Sequence, residues 1–121
     1  MTITYQFTVE DDLLLVKASG ADDNQEDVQR YNEATLEMCL ENGCRRVLTD
    51  ETDLEYRLNT VDNFESAKTM AEMAQGIHKL AIVVNPQQMK DASFWETVAV
   101  NRGVTVRIFN AIEDARLWID A

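Results

Sequence analysis

Leu80-Ala81-Ile82-Val83-Val84 is the most apolar run in the chain, and Asn85-Pro86 breaks it. A short uninterrupted run rich in β-branched residues reads as an interior strand buried on both faces. Such a strand belongs in a sheet packed with helices, and the flanking sequence supplies them. Before it, Phe64, Ala67, Met70, Ala71 and Ala74 recur at helical spacing, and Gly76 ends that helix. After it, a third helix spans roughly Gln88 to Asn101, carrying Phe94, Trp95, Val98 and Ala99, with Gly103 as terminator.

The chain opens on strands. Ile3, Tyr5, Phe7 and Val9 alternate with Thr4, Gln6 and Thr8, the period of a half-buried strand. Glu10-Asp11-Asp12 is a polar turn, and Leu13 to Ala18 is a second strand ending at Gly20, so the two form an antiparallel hairpin. Asn24 or Asp23 caps a first helix by accepting from early backbone N–H groups. Its inner stripe is Val28, Tyr31, Thr35, Met38 and Cys39, broadened by Leu36 and Leu40, and Gly43 stops it. Arg46 to Thr49 is the third strand, Asp50 to Asn59 an acidic loop, and the second helix starts near Asn59 or Thr60. Val104 to Phe109 alternates as the last strand. Asn110 with Glu113 has capping-box spacing before a final helix, Ala111 to Asp120, which buries some of Ile112, Ala115, Leu117, Trp118 and Ile119. The order is ββαβαβαβα, one α/β domain over residues 1–121. Right-handed crossovers make the later strands parallel, and the opening hairpin makes the whole sheet mixed.

Charge narrows the function classes. Acidic side chains number 22 against 11 basic ones, for a net charge of −11. That surface repels phosphate backbones and anionic headgroups, so no nucleic-acid partner is expected. No apolar run approaches the ~20 residues of a membrane span, and Met1 to Tyr5 lacks the basic and apolar regions of a signal peptide. Cys39 and Cys44 make no disulfide framework. The expectation is a cytoplasmic protein with reduced thiols and no integral membrane segment.

Several landmarks together resemble the STAS fold of anti-sigma-factor antagonists, and more closely the bacterial SpoIIAA-like proteins of unknown function. They are the hairpin with Leu13-Leu14-Leu15-Val16 and Gly20, Val47-Leu48-Thr49-Asp50, and the run from Leu80 to Val84. The most specific is the ending, Val106-Arg107-Ile108-Phe109 followed by Ile112-Glu113-Asp114-Ala115-Arg116-Leu117-Trp118-Ile119. The resemblance implies a non-enzymatic domain that docks onto regulators or transporters, some members binding small ligands. In the antagonist subgroup a Ser in an Asp-Ser-Ser-Gly-like motif opening the second helix is phosphorylated. This chain has Asn59-Thr60-Val61-Asp62 there, with no serine pair and no glycine. Only Thr60 stands in, by position.

Each candidate site competes with a plainer reading. Thr60 at a helix start is foremost an N-cap. Asp50, Asp53 and Glu55 form an oxygen-rich stretch, but without EF-hand spacing they read as a solvated loop, and no metal or other cofactor is implied. Tyr56-Arg57 interrupts that acidity with the composition of an interface anchor. Cys44 beside Arg45 and Arg46 is a candidate for a lowered pKa, though both cysteines read first as small buried residues. The lone His78 sits at a surface turn. Met38, Met70, Met73 and Met89, with Phe64, Phe94, Trp95 and Trp118, suit either a core or a pocket for an apolar ligand. Phe94 and Trp95 diverge by about 100° on a helix, so one of them faces a partner subunit or a ligand.

The leading expectation is a non-enzymatic module that binds a protein partner, or itself as a homodimer, around Asp50, Asp53, Tyr56, Arg57 and Thr60. A carrier or sensor of a small apolar, lipid-like molecule is the alternative. An enzyme ranks last, because no nucleophile–base pair, metal set or phosphate loop is visible, and no residue is assigned as catalytic. A phosphate on Thr60 would add ~−2 of charge to a stretch already holding Asp50, Glu51, Asp53, Glu55, Asp62 and Glu65. Intact-mass spectrometry of protein purified from its own host is therefore expected to show no stoichiometric phosphate on Thr60.

Overall fold

The computed structural model describes residues 2–121, so Met1, the first residue of the span read above, lies outside the described residues. Five strands and four helices follow in the order β1 (Ile3–Glu10), β2 (Leu13–Asp22), α1 (Gln25–Glu41), β3 (Arg46–Tyr56), α2 (Thr60–Met73), β4 (Lys79–Val84), α3 (Met89–Val100), β5 (Val106–Phe109) and α4 (Ile112–Asp120). A single turn of 3₁₀-helix, Pro86–Gln88, leads into α3. The strands lie in sequence order across one sheet, β1-β2-β3-β4-β5. β1 and β2 are antiparallel, and the other pairs are parallel. The mixed sheet and the element order are those the sequence implies.

Two apolar layers hold the sheet between helices. The larger layer packs Leu14, Val16, Val47, Leu80, Ile82 and Val84 against Val28, Tyr31 and Cys39 of α1 and Ala92 and Ala99 of α3. The smaller sets Leu13, Leu48, Ala81 and Val83 against Ala115 and Ile119 of α4. Alternate residues of β4 thus enter opposite layers, and all of Leu80 to Val84 is buried. Arg46 ties α4 to the hairpin turn. Its guanidinium donates to Asp12 Oδ1 at 2.7 Å, to Asp120 Oδ1 at 3.0 Å and to the Ile119 carbonyl at 2.9 Å.

Several local expectations need correction. The acidic loop is strand as far as Tyr56, so β3 has 11 residues. It stays paired because Ser19 to Asp22 of β2 continues alongside Asp53 to Tyr56, after a register shift between Lys17 and Ser19. Asn59, not Thr60, caps α2, its side chain accepting from the Asp62 N–H at 2.8 Å. Asn24 is the cap of α1, accepting from the Asp27 N–H at 2.9 Å. The Asn110–Glu113 capping box does not form, because Ala111 occupies the cap position and makes no side-chain bond. Leu40 is exposed rather than packed, since it falls outside the arc that α1 turns to the sheet, and of the apolar residues of α4 Ala115 and Ile119 are the buried ones.

Cys44 is likewise not activated. Burial first, and then the negative charge of Asp12, raise its pKa. Cys39 is pushed up to about 11 by burial and donates its thiol to the Cys44 carbonyl at 2.9 Å. His78 is exposed, as expected.

Gly20 shows why the hairpin ends as it does. Its φ is +103°, and a Cβ placed there would lie 2.2 Å from the Thr2 carbonyl oxygen. Gly43 also has positive φ, +65°, but open space around it. Gly20→Ala therefore combines backbone strain with a backbone clash and is expected to cost about 2 kcal/mol or more, against about 1 kcal/mol for Gly43→Ala. Urea unfolding of the two variants beside the parent checks the order, and equal losses would count against the clash.

Candidate functional site

The parallel strands run out beneath the starts of α1, α2 and α3, and a cavity of about 80 Å³ lies there between the helices and the sheet. β3 provides its floor. Val47, Thr49 and Glu51 alternate inward, while Leu48 and Asp50 turn to the opposite face. Two neighbouring carboxylates thus meet different surroundings. Asp50 pairs with Lys17 at 3.2 Å, and Lys17 also reaches Asp53 at 3.1 Å. Burial pushes the Asp50 carboxyl up, but the Thr52 hydroxyl and N–H together with Lys17 outweigh it and leave it below its ordinary value.

Glu51 has no such cation. It is buried at 8% exposure, and its two oxygens are held by phenols. The Tyr31 hydroxyl donates to Oε2 at 2.7 Å, and the Tyr56 hydroxyl donates to Oε1. Burial raises the Glu51 pKa, and the two phenolic bonds only partly offset it. Both tyrosines are raised well above their ordinary value, by burial first and then by the charge of Glu51. Thr49 lines the same space, where its buried hydroxyl stands against the Tyr31 phenol and opposes the rise in that group's pKa, with no hydrogen bond of ordinary geometry to Oγ1.

Asp22 closes β2 at the cavity wall. Its carboxylate accepts from the N–H groups of Arg57 and Leu58, fastening the end of β2 to the chain that leads into α2. Burial pushes its pKa up to about 6 despite those two bonds, and the carboxylates of Asp91 and Asp23 add to the rise. From α2, Asn63 donates to the Asp91 carbonyl at 3.1 Å, and Ser66 accepts from the Trp95 indole N–H at 3.3 Å. These bonds join α2 to α3 over the cavity.

The residues singled out from sequence therefore separate. Asp50 and Asp53 gather around Lys17 on the sheet face away from the cavity. Tyr56 turns inward to Glu51, because it ends a strand rather than tipping a loop. Arg57 remains at the surface, bonded to Asp23 and Glu55 at 2.9 Å each. Thr60 is exposed in the first turn of α2, beside Val61 at 69% exposure. Trp95 lines the cavity, whereas its neighbour Phe94 is exposed. Sequence reasoning missed Asp22, Thr49, Glu51 and Asp91. Glu51 carries a readable signal, since it continues the two-residue alternation of Val47 and Thr49. Asp22 and Asp91 carry none.

This space does not suit a lipid-like ligand. Its volume falls well short of the roughly 300 Å³ usual for small-molecule pockets, and it contains the carboxyl groups of Asp22 and Glu51. Among the described residues, no group of three His, Cys, Asp or Glu side chains is placed to hold a metal ion. No described helix is long and apolar enough to cross a membrane.

No protein-family model and no curated protein matches the sequence. Solved structures do match. An anti-sigma factor antagonist from Mycobacterium paratuberculosis superposes with a TM-score of 0.71 at 12% identity, covering 99% of this chain and 96% of its own. An uncharacterised protein of the DUF3478 family with a SpoIIAA-like fold, from Shewanella loihica PV-4, gives 0.63 at 20% identity, covering 98% and 94%. The chain has a SpoIIAA-like, STAS-type fold. At these identities the likeness concerns the fold.

Asp22 makes the site measurable through stability. A raised carboxyl pKa means that the folded state holds the proton more tightly than the unfolded one. The resulting stability is present below the unfolded value of 3.8 and is lost as pH rises to about 6. Asp22→Asn keeps an acceptor oxygen for the Arg57 and Leu58 N–H groups but removes the titration. Relative to the parent it is expected to gain about 2 kcal/mol between pH ~4 and pH ~7. Urea midpoints across that range check this, and parallel pH profiles for the two proteins would contradict it.

Proposed function

We propose that this protein is a non-enzymatic interaction module, docking a protein partner at the surface where β3 gives way to α2. The observation that carries the reading is the likeness of nearly the whole chain to an anti-sigma factor antagonist, a protein whose name describes action on another protein. The local surface agrees with it. Arg57, Thr60 and Val61 are accessible together at the start of α2, and this segment is fastened to β2 through Asp22 rather than left loose. A fixed backbone presenting an arginine beside an apolar side chain loses little freedom when a partner arrives. Asp50 and Asp53, on the far side of the sheet, contribute charge to the outer surface instead of contact at this point. The partner is a different protein or a second copy of this chain. The module acts in the cytoplasm and contacts neither nucleic acid nor membrane, in keeping with its charge of −11.

The protein is captured with its partners from an extract of its own host, in parallel with the double variant Arg57→Glu/Val61→Asp. A control, Leu117→Asp, alters an equally exposed apolar residue on α4, which packs on the opposite sheet face. The expected result is a stoichiometric partner that the double variant loses by about tenfold or more and the control retains. Native mass spectrometry of the purified chain identifies the case in which that partner is a second copy. A monomer whose captured proteins are unchanged by the double variant would overturn the reading.

A further inference from the structure

We propose that the cavity under α1, α2 and α3 binds a small organic ammonium ion. The described residues lining it include the carboxyl groups of Asp22, Glu51 and Asp91, and no Lys, Arg or His. A buried carboxylate without a cation is costly, and phenolic hydrogen bonds repay only part of that cost. Each Glu51 oxygen accepts from one tyrosine hydroxyl, which leaves each with further accepting capacity, and Glu51 lines the space. A second observation is independent of the acids. Thr49 is 5% exposed, lines the cavity, and its Oγ1 is buried with no hydrogen bond of ordinary geometry.

At this end of the space the Glu51 carboxylate only accepts, and the Thr49 hydroxyl accepts as well as donates. An ammonium head carries several donors, no acceptor and a positive charge. The aromatic rings of Tyr31, Tyr56 and Trp95 also line the space, and ring faces attract cations of this kind. A metal ion fits less well, since no described trio of ligating side chains converges. Size sets the upper limit. A single water needs roughly 10–15 Å³ of such volume, so about 80 Å³ admits an ammonium group with a short alkyl stub and excludes a long chain. Asp91, which is exposed, stands on the solvent side of the lining and gives an arriving cation its first carboxylate.

The full chain is titrated with methylammonium, ethylammonium and tetramethylammonium chloride at constant ionic strength. The readout is the indole N–H of Trp95 in proton–nitrogen NMR spectra, with the indole of Trp118, in the opposite layer, as internal reference. A saturable shift of Trp95 with at least one ammonium ion is expected, with Trp118 unmoved and no saturation by sodium, acetate or ethanol. Glu51→Gln should weaken binding about tenfold or more, and Thr49→Val several-fold. If Glu51→Gln does not fold, Thr49→Val decides the matter. Absence of saturation with all three ammonium ions would overturn the proposal. So would an equal response to sodium or ethanol, saturation by magnesium in place of ammonium, or unchanged affinity in the folded variants.

Discussion

The central strand β3 fixes what this sheet can do, because it passes between two layers while carrying acids at successive positions. β2 and β4 both take their register from it. Strand geometry sends Asp50 to one face and Glu51 to the other. On the face that α4 packs against, the carboxylate is satisfied by Lys17 and by its own neighbour Thr52. On the cavity face no basic side chain lines the space among the described residues, and two tyrosines from different elements converge on one carboxyl. That convergence sets the neighbourhood. Tyr31 lies one helix away on α1, and Tyr56 lies at the end of β3 itself. With both rings committed to Glu51, the space beside them is left as a small void, walled mainly by apolar side chains, with a few polar groups at its β3 floor.

Sequence patterns reveal the framework more readily than this void. The run from Leu80 to Val84 and the alternation of Ile3 to Val9 each report a single local periodicity, so their elements are readable without tertiary information. The end of β3 is not. Asp50, Glu51, Asp53 and Glu55 look like a solvated loop because β-propensity opposes them, and it is the continued pairing with Ser19 to Asp22 that overrides propensity. Tyr56 fails for the same reason, since an aromatic read at a loop tip becomes inward-facing once the strand extends beneath it. Asn110 and Glu113 have the spacing of a capping box, but spacing alone does not place a side chain over the helix end. Thr60 and Asn59 are adjacent candidates for one cap, and a shift of one residue decides between them.

Asp22 shows what a linear reading cannot supply. In sequence it closes an apolar strand beside another Asp, which resembles a turn. In the fold it accepts two N–H groups from a segment 35 and 36 residues away, so it acts as a clasp between β2 and the entry to α2. The clasp holds where desolvation works against its charge. A carboxylate in that position favours protonation, and its bonds to backbone N–H groups favour the charge. The balance is local to the junction from which the exposed residues Arg57, Thr60 and Val61 are presented.

α2 carries both kinds of surface within its first two turns. Thr60 and Val61 face outward, while Asn63 and Ser66 line the cavity and bond toward α3. One helix is rigid over that length, so a displacement at its inner side is also a displacement at its outer side. A molecule filling the cavity influences the surface only to the extent that it binds one placement of α2 better than another. By linkage, a partner holding the outer face then changes affinity for the cavity by the same factor. A cavity occupant that contacts β3 and α1 alone would leave the outer surface indifferent. One that replaces water bonded to Asn63 or Ser66 would not. The distinction rests on which side of the cavity supplies the differential contact, and the acceptors that face inward lie mainly on β3, at Thr49 and Glu51. The cavity and the docking face therefore meet at α2 and at Asp22, and cooperation between them has two routes, the Asp22 bonds to the Arg57 and Leu58 N–H groups and the Ser66–Trp95 and Asn63–Asp91 bonds.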